Sequence, residues 1–290
     1  MAHHHSHDNI DWDTRLQQLR AADDLTAPET AQLVGAVLGA EDRAVIEIGS
    51  GAGGGSAALA AALSRSGGQL TLVDGAPQLL EEAGARATEA GLGQVEVRTV
   101  LADAADDGLA AAVGTTADLV FAAFVVHHLP DQLAGLRRLA ELVRPGGRLV
   151  LVEFGLEPRV LPWDLGLGEP GLEARLTAAR DAWFREMRAE MAGSVRLGTG
   201  WPRALRDAGL TDVRTWSYLI DRPAPIDDVV LDAVLRRLDW LHADGEDRAD
   251  PADLDTLAQL LDPAGPHYVG KRDDVYYLNA NTVHLATRPA

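Results

Sequence analysis

Cysteine is absent from this chain of 290 residues, and lysine occurs once, as Lys271. Without cysteine, the chain can form no disulfide, no catalytic thiolate and no cysteine-ligated zinc site. The Tyr-x-x-x-Lys pair of short-chain dehydrogenases is also excluded, because Tyr268 precedes Lys271 by three residues instead of four. Any Schiff-base chemistry would depend on this one amine.

Long apolar runs and an excess of basic residues are missing as well. No segment approaches the roughly 18 uninterrupted apolar residues of a membrane-spanning helix. The N-terminus lacks the basic end and apolar centre of a signal peptide. The formal net charge is -18, whereas phosphate backbones are bound by clustered Lys and Arg. We therefore expect a cytoplasmic protein that binds neither nucleic acid nor a membrane.

The apolar residues that are present, 47% of the chain, suffice for a sizeable core. They form strand-like runs separated by helical segments: DRAVIEIGSG, GGQLTLVDGAP, QVEVRTVLADA, ADLVFAAFVVHHL and RPGGRLVLVEF. Continuous apolar runs indicate strands buried on both faces, and their alternation with helices predicts a doubly wound parallel sheet. Such a sheet binds ligands at the carboxyl ends of its strands, where the strand order reverses.

The pattern changes on both sides of this core. We assign residues 1–40 to a tail and a lid of two helices, at about 13–22 and 27–38, and residues 41–155 to a Rossmann-like core. A Pro/Gly-rich loop and a long helix predict a helical cap at 156–200. Residues 201–290 complete a seven-stranded, mostly parallel α/β sheet, with a helical insertion at about 226–262. The segment HHHSH at 3–7 is either a broken purification tag or a native tail that could bind a transition metal.

The stretch VIEIGSGAGGGSAALA, residues 45–60, runs from a strand through five glycines into a helix. Glycines permit a tight turn and a close approach to a ligand at a helix N-terminus. Part of the stretch fits G-x-G-x-x-G, and Asp74 follows at the distance of a ribose-binding acid, so a nicotinamide-dependent oxidoreductase is one interpretation.

Glu47 argues against this oxidoreductase interpretation, because dinucleotide sites usually carry an apolar residue at its position. A carboxylate inside a strand must hold the loop or a cationic ligand group. Gly54 and Gly55 exceed the usual pattern and would only loosen the loop.

Five motifs in a fixed order favour another interpretation: EIGSGAG, VDG, ADA, VVHHLPD and RPGGRLVLVE. In this order they resemble the class I S-adenosylmethionine-dependent methyltransferases, in particular the group that acts on small molecules, over about residues 40–155. The resemblance implies S-adenosyl-L-methionine as the cofactor. It implies the following cofactor-binding residues: Glu47, Gly49, Ser50, Gly51, Gly53, Asp74, Gly75, Asp103, Ala104, Phe124 and Val125.

The resemblance also implies a role for each group of residues. The glycine loop would surround the methionine half of the cofactor, and Phe124 with Val125 would lie under it. Asp74 would accept hydrogen bonds from both ribose hydroxyls, while Asp103 and Ala104 would read the adenine amino group. Two simpler interpretations remain, in which Asp74 is only a turn residue and Asp103 only one acid of a polar loop.

The reaction itself needs little chemistry from the protein, because the sulfonium already activates the methyl group. The protein must still align the acceptor and exclude water. It needs a base only where the acceptor must lose a proton. His127 and His128, after the fourth strand, are the candidate catalytic residues, although the pair could instead shape the cofactor site. The Asn/Asp-Pro-Pro-aromatic motif of N-methylating relatives is absent, and no acidic cluster suggests a magnesium site. We expect metal-independent methylation of oxygen, with carbon as the second option.

Alternatives remain open at this stage. A relative of the same fold could bind S-adenosylmethionine and catalyse another reaction, such as a cyclisation. The acceptor is expected to be a small molecule of the kind met in secondary metabolism, contacted by the inserted segments. Five aromatic residues lie in or beside those segments, and most should be ordinary packing: Trp163, Trp183, Trp201, Trp216 and Tyr218. We expect a monomer or a homodimer.

Overall fold

The computed structural model describes residues 11–290, and the histidine-rich segment at residues 3–7 lies outside this range. The helices are α1 (Trp12–Val37), α2 (Gly54–Leu63), α3 (Pro77–Ala90), α4 (Leu109–Val113), α5 (Gln132–Leu142), α6 (Leu172–Glu190), α7 (Trp201–Asp207), α8 (Asp228–Gly245) and α9 (Pro251–Leu261). The strands are β1 (Ala44–Ile48), β2 (Gly68–Asp74), β3 (Val95–Leu101), β4 (Ala117–Ala123), β5 (Val143–Arg159), β6 (Thr211–Arg222) and β7 (Tyr277–Thr287).

The strands form one seven-stranded sheet in the order β3-β2-β1-β4-β5-β7-β6. Strands β1 to β5 pair in parallel. Strand β7 runs antiparallel to β6, since Thr215 contacts His284 while Ser217 contacts Thr282. The predicted doubly wound, mostly parallel α/β sheet is confirmed. Its order reverses between β1 and β4, which is where such sheets place their ligands.

Two apolar layers cover the central strands, one on each face. Successive strand residues alternate between the layers: Ile46 and Val120 lie in one, and Val45 and Leu119 in the other. The first layer also contains residues of α4, α5 and α7, and the second contains residues of α1, α2 and α3. This coverage of both faces explains why the strands read as continuous apolar runs.

Helix α1 differs from the expected pair of N-terminal helices, because it is one helix of 26 residues with Pro28 inside it. A proline costs a helix one hydrogen bond and crowds the preceding turn. Tertiary contacts outweigh that cost here. Residues Leu33, Val34 and Val37 are buried, and the first half of the helix is tied to α3 by the ion pair of Arg20 with Glu82. The expectation of two helices is wrong because it relied on local propensity alone.

The chain divides into two compact units. The first comprises the chain as far as Phe154, Ala192–Tyr218 and Asn281–Ala290, and the second comprises Gly155–Met191 and Leu219–Ala280. The two segments of the second unit are joined by the Arg175–Asp253 ion pair (2.8 Å) and by a hydrogen bond from the Tyr276 hydroxyl to the Leu161 carbonyl (3.1 Å). Among the described residues, no helix combines the length and apolar character that crossing a membrane requires.

A charged cluster lies inside the second unit. Arg237 is 4% exposed and donates from Nη1 to Glu157 (3.0 Å) and from Nη2 to Thr177 (3.3 Å). The guanidinium of Arg180 lies 3.7 Å from the ring centroid of Trp240. Burial lowers the pKa of Arg237, while Glu157 and Glu173 oppose that shift. The charged groups are therefore compensated within this unit.

Candidate functional site

The predicted site residues lie at the carboxyl ends of neighbouring parallel strands. The glycine loop follows β1, Asp74 ends β2, and Phe124 follows β4. Strand β1 pairs with both β2 and β4, so the loop is flanked by the ends of the other two strands. A Cβ on Gly49 would collide with Val125. The loop and the segment after β4 are thus in direct contact at the point where the strand order reverses.

Asp74 connects the glycine loop to the end of β2. Its Oδ2 accepts the N–H of Gly51 (3.1 Å), and its Oδ1 accepts the N–H of Ala76 (3.0 Å). Gly51 has φ +52°, a conformation that favours glycine. A Cβ built there would meet no protein atom within 4 Å. The sequence places Asp74 correctly after β2, and its contacts with ribose hydroxyls stay a prediction.

Glu47 is 4% exposed in the middle of the sheet. The Ser56 hydroxyl donates a hydrogen bond to its Oε2, and a Cβ on Gly55 would collide with its Oε1. Burial raises the pKa of Glu47 to about 8; the Ser56 bond opposes this shift, and the charges of Asp23 and Asp74 add to it. The carboxyl group is therefore largely protonated at neutral pH.

Asp23 of α1 is a site residue that the sequence reasoning missed. Its carboxylate accepts the backbone N–H of Gly54, and burial raises its pKa although Arg86 opposes the shift. Arg86 donates from Nη1 both to Asp23 Oδ2 and to the Ala52 carbonyl, each at 2.7 Å. Helix α1 is thereby attached directly to the glycine loop. The only sequence signal was the additional glycine at position 54.

The expectation that Gly54 and Gly55 only loosen the loop is wrong. A Cβ on Gly54 would collide with the Asp23 carboxylate, as one on Gly55 would with Glu47. The two glycines are needed for the close approach of two carboxylates to the N-terminus of α2. A dinucleotide would place its negative pyrophosphate at that same N-terminus. The Asp23 carboxylate already accepts the Gly54 N–H at this N-terminus, which argues against the nicotinamide interpretation.

His127 lies in a 3-10 turn, Val126–His128, directly after β4. Its Nδ1 is 2.7 Å from Oε2 of Glu153 on β5, and its backbone N–H donates to Oε1 (3.3 Å). The Glu153 side chain is 2% exposed. A hydrogen bond donated by Nδ1 to this carboxyl group would leave Nε2 with a lone pair. Glu153 was not predicted, although an acid at the end of the apolar run RLVLVE was a usable signal.

His128 and the neighbouring aromatic rings complete this end of the sheet. The His128 ring centroid is 4.0 Å from that of His127, and His128 is exposed. Phe154 lies 5.1 Å from His127 and 5.0 Å from Phe124. Phe124 has φ +58°, and such backbone strain in a non-glycine residue tends to occur at functional sites. The His127 ring thus lies beside the Phe154 ring, which in turn lies beside the Phe124 ring.

The remaining predicted residues are placed less distinctively. Asp103 is exposed after β3, and its Oδ1 accepts the N–H of Ala105 (2.8 Å). Recognition of the adenine amino group by Asp103 stays a prediction. The cofactor contacts of the other predicted residues stay predictions as well. Among the aromatics, Trp201 packs against one apolar layer, and Trp216 and Tyr218 pack against the other. These three side chains therefore serve ordinary packing, which was the expectation for most of the five aromatic residues.

Comparisons with known proteins find similarity to methyltransferases. Residues 46–149 match the family model described as a methyltransferase domain. The ubiquinone biosynthesis O-methyltransferase of Xanthomonas axonopodis pv. citri (strain 306) is 32% identical over 131 residues, which are 45% of this chain and 51% of that protein. The protein of the same name from Parvibaculum lavamentivorans is 32% identical over 111 residues, 38% of this chain and 40% of that one.

The fold is also found among solved structures. An O-methyltransferase family protein from Burkholderia thailandensis has a TM-score of 0.51 at 18% identity, covering 97% of this chain and 61% of that one. The sheet order, the glycine loop and this likeness define the class as that of the class I methyltransferase fold. The chain spans about half the length of the first of these curated relatives.

Proposed function

We propose that this protein transfers a methyl group from S-adenosylmethionine to a hydroxyl group of a small molecule, with His127 as the general base. The observation that carries the proposal is the 2.7 Å contact between His127 Nδ1 and the buried Glu153. The carboxylate orients the ring and leaves Nε2 to accept a proton, as in other base–orienter pairs. Both carboxyl oxygens of Glu153 contact His127, Oε2 at the ring and Oε1 at the backbone N–H, which favours His127 of the two candidates.

The residues around the glycine loop fit the cofactor. Ser50 Oγ is buried and has no hydrogen-bond partner among the described residues, so a polar ligand group would satisfy it. Gly51 borders space free of protein atoms, which permits a ligand to approach the backbone. The carboxyl groups of Glu47 and Asp74 suit a ligand that carries positive charge and ribose hydroxyls. When bound, this cofactor supplies a methyl group that its sulfonium activates.

The chain's own residues would supply the remaining steps. His127 Nε2 takes the proton of the acceptor hydroxyl, and Glu153 stabilises the resulting imidazolium. Phe124 and Phe154 provide apolar ring surface beside this proton transfer. Their two rings beside His127 suit a planar acceptor, such as a phenol. The names of the curated relatives, which are O-methyltransferases, support oxygen as the acceptor atom.

The test is a methylation assay with a product identified by mass spectrometry. The purified chain is incubated with S-adenosylmethionine and a panel of phenols and aliphatic alcohols, and binding of S-adenosylhomocysteine and of NAD is measured by calorimetry. We expect S-adenosylhomocysteine to bind, NAD not to bind, and at least one phenol to gain a methyl group. Absence of S-adenosylhomocysteine binding by the folded protein would overturn the proposal. Conversion of an acceptor without gain of a methyl group would replace it with a non-methylating reaction.

A further inference from the structure

Three carboxyl groups from three elements surround the first turn of α2. They are Asp23 of α1, Glu47 of β1 and Asp74 of β2, which contact Gly54, Ser56 and Gly51 respectively. The positive end of the α2 dipole faces them. The three groups place ionisable carboxyls from three different elements within one part of the site.

Glu47 differs from the other two in its surroundings. Asp23 is paired with Arg86, whereas within residues 11–290 the Glu47 carboxyl has a hydroxyl partner, Ser56, and no cationic one. Toward Glu47, α1 presents Asp23, and β2 presents Asp74. Beyond Asp23, α3 presents Arg86, and the neighbouring strand β4 presents the apolar ring of Phe121 near Gly55.

These surroundings set the charge of Glu47 while no ligand cation is near. Burial and two neighbouring acids favour the neutral carboxyl group, and the pKa of about 8 expresses this balance. A cation brought into the same low-dielectric site would reverse the balance, because it stabilises the ionised form. The charge of Glu47 is thus coupled to the charge of whatever binds.

We propose that Glu47 makes cofactor binding charge-selective: it is protonated in the free protein, ionises when the cationic methyl donor enters, and releases its proton to solvent. S-adenosylmethionine has a net charge of one positive unit from its sulfonium, ammonium and carboxylate groups. S-adenosylhomocysteine has lost the sulfonium charge and is a neutral zwitterion. Both ligands carry the ammonium group, and the donor brings one additional positive charge, which favours the ionised form of Glu47 more strongly. Loss of the methyl group then favours return of the proton and weakens the hold on the product.

The inference rests on the proposed function only in its choice of ligands, and it is tested without turnover. Binding of each ligand to the full chain is measured by titration calorimetry at pH 7 in two buffers of different ionisation enthalpy, which gives the number of protons released. We expect S-adenosylmethionine to release about one proton more than S-adenosylhomocysteine. Glu47→Gln should remove this difference, and the control Glu96→Gln, at an exposed position of β3, should retain it.

A second measurement on the unaltered chain does not depend on the variant folding. Between pH 6 and pH 7, affinity for S-adenosylmethionine should rise up to about tenfold, because one proton is released on binding. Affinity for S-adenosylhomocysteine should change by less than about twofold. Equal proton release by the two ligands would overturn the inference and leave the proposed function standing. Failure of both ligands to bind would overturn the proposed function itself.

Discussion

The imidazole of His127 and the carboxylate of Glu153 are joined across the ends of β4 and β5, with 2.7 Å between Nδ1 and Oε2. The acid is almost completely buried and the histidine is partly accessible. The carboxyl partner is therefore fixed inside the sheet, and the imidazole lies at its partly accessible edge. The pair gives the most direct test of the proposed chemistry.

His127→Gln should lower turnover by about 10²–10⁴-fold, the usual contribution of a general base. Affinity for S-adenosylhomocysteine should remain near that of the unaltered chain. The matched control is His128→Gln, which changes the adjacent exposed histidine and should reduce turnover only a few-fold. Loss of cofactor affinity in His127→Gln would show instead that the histidine shapes the cofactor site.

Asp74→Ala should weaken binding of S-adenosylhomocysteine strongly while the fold persists. Removing a charged acceptor costs roughly 1.5–3 kcal/mol per hydrogen bond, so two ribose bonds predict a loss of at least a hundredfold. Asp106→Ala, in the polar loop after β3, is exposed and should bind normally. The dissociation constants are measured by calorimetry. Unchanged affinity of the Asp74 variant would assign the ribose contact to another residue.

Glu47→Gln should stabilise the ligand-free protein at neutral and alkaline pH. The pKa of Glu47 rises from an ordinary value of 4.5 to about 8 on folding, so the folded state binds a proton more tightly between these values. Stability is therefore lost as pH rises from about 4.5 to about 8, by an amount on the order of a few kcal/mol. Gln at this position keeps the Ser56 contact and does not titrate. Unfolding by urea at pH 5 and pH 8 should show a smaller difference between the two pH values for the variant than for the unaltered chain.

Gly55→Ala should destabilise the first unit, because the new methyl group would occupy the position of the Glu47 carboxylate. Overpacking of a buried site costs typically about 1–3 kcal/mol. Gly35→Ala is the matched control: Gly35 is an exposed position inside α1 with no atom within 4 Å of an added Cβ. It should stabilise the protein by roughly 0.5–1 kcal/mol through helix propensity. Opposite signs in thermal denaturation of the two variants are the expected result.

Arg237→Met should destabilise the second unit by about 3–5 kcal/mol, because it removes the buried guanidinium that pairs with Glu157 and Glu173. Arg236→Met removes the neighbouring arginine, which pairs with Asp232 near the surface, and should cost less than about 1 kcal/mol. Tryptophan fluorescence during urea unfolding is a suitable probe, since Trp240 contacts both Arg180 and Arg237. Equal losses in the two variants would show that the buried cluster is not specially important for this unit.

The sheet and the glycine loop could be predicted from the sequence because their signals are local. Continuous apolar runs follow from strands covered on two faces, and the loop glycines and Asp74 occupy fixed places after their strands. The missed features depend on contacts between distant positions. Asp23 meets Arg86 across 63 positions, and His127 meets Glu153 across 26. No periodicity in one segment encodes such a meeting. The continuity of α1 through Pro28 was missed for the same reason, since packing decides it.

The division of the second unit between two separate stretches of chain limits how that unit can be exchanged. The polypeptide passes between the units four times, after residues 154, 191, 218 and 280. Neither stretch carries a complete set of partners: Arg175 on one needs Asp253 on the other, and Tyr276 needs Leu161. A transplant of this unit into another scaffold must therefore move both stretches together, with all four junctions in register. A graft that moves only one of the two stretches would transfer half of the unit's core, and that half would not fold.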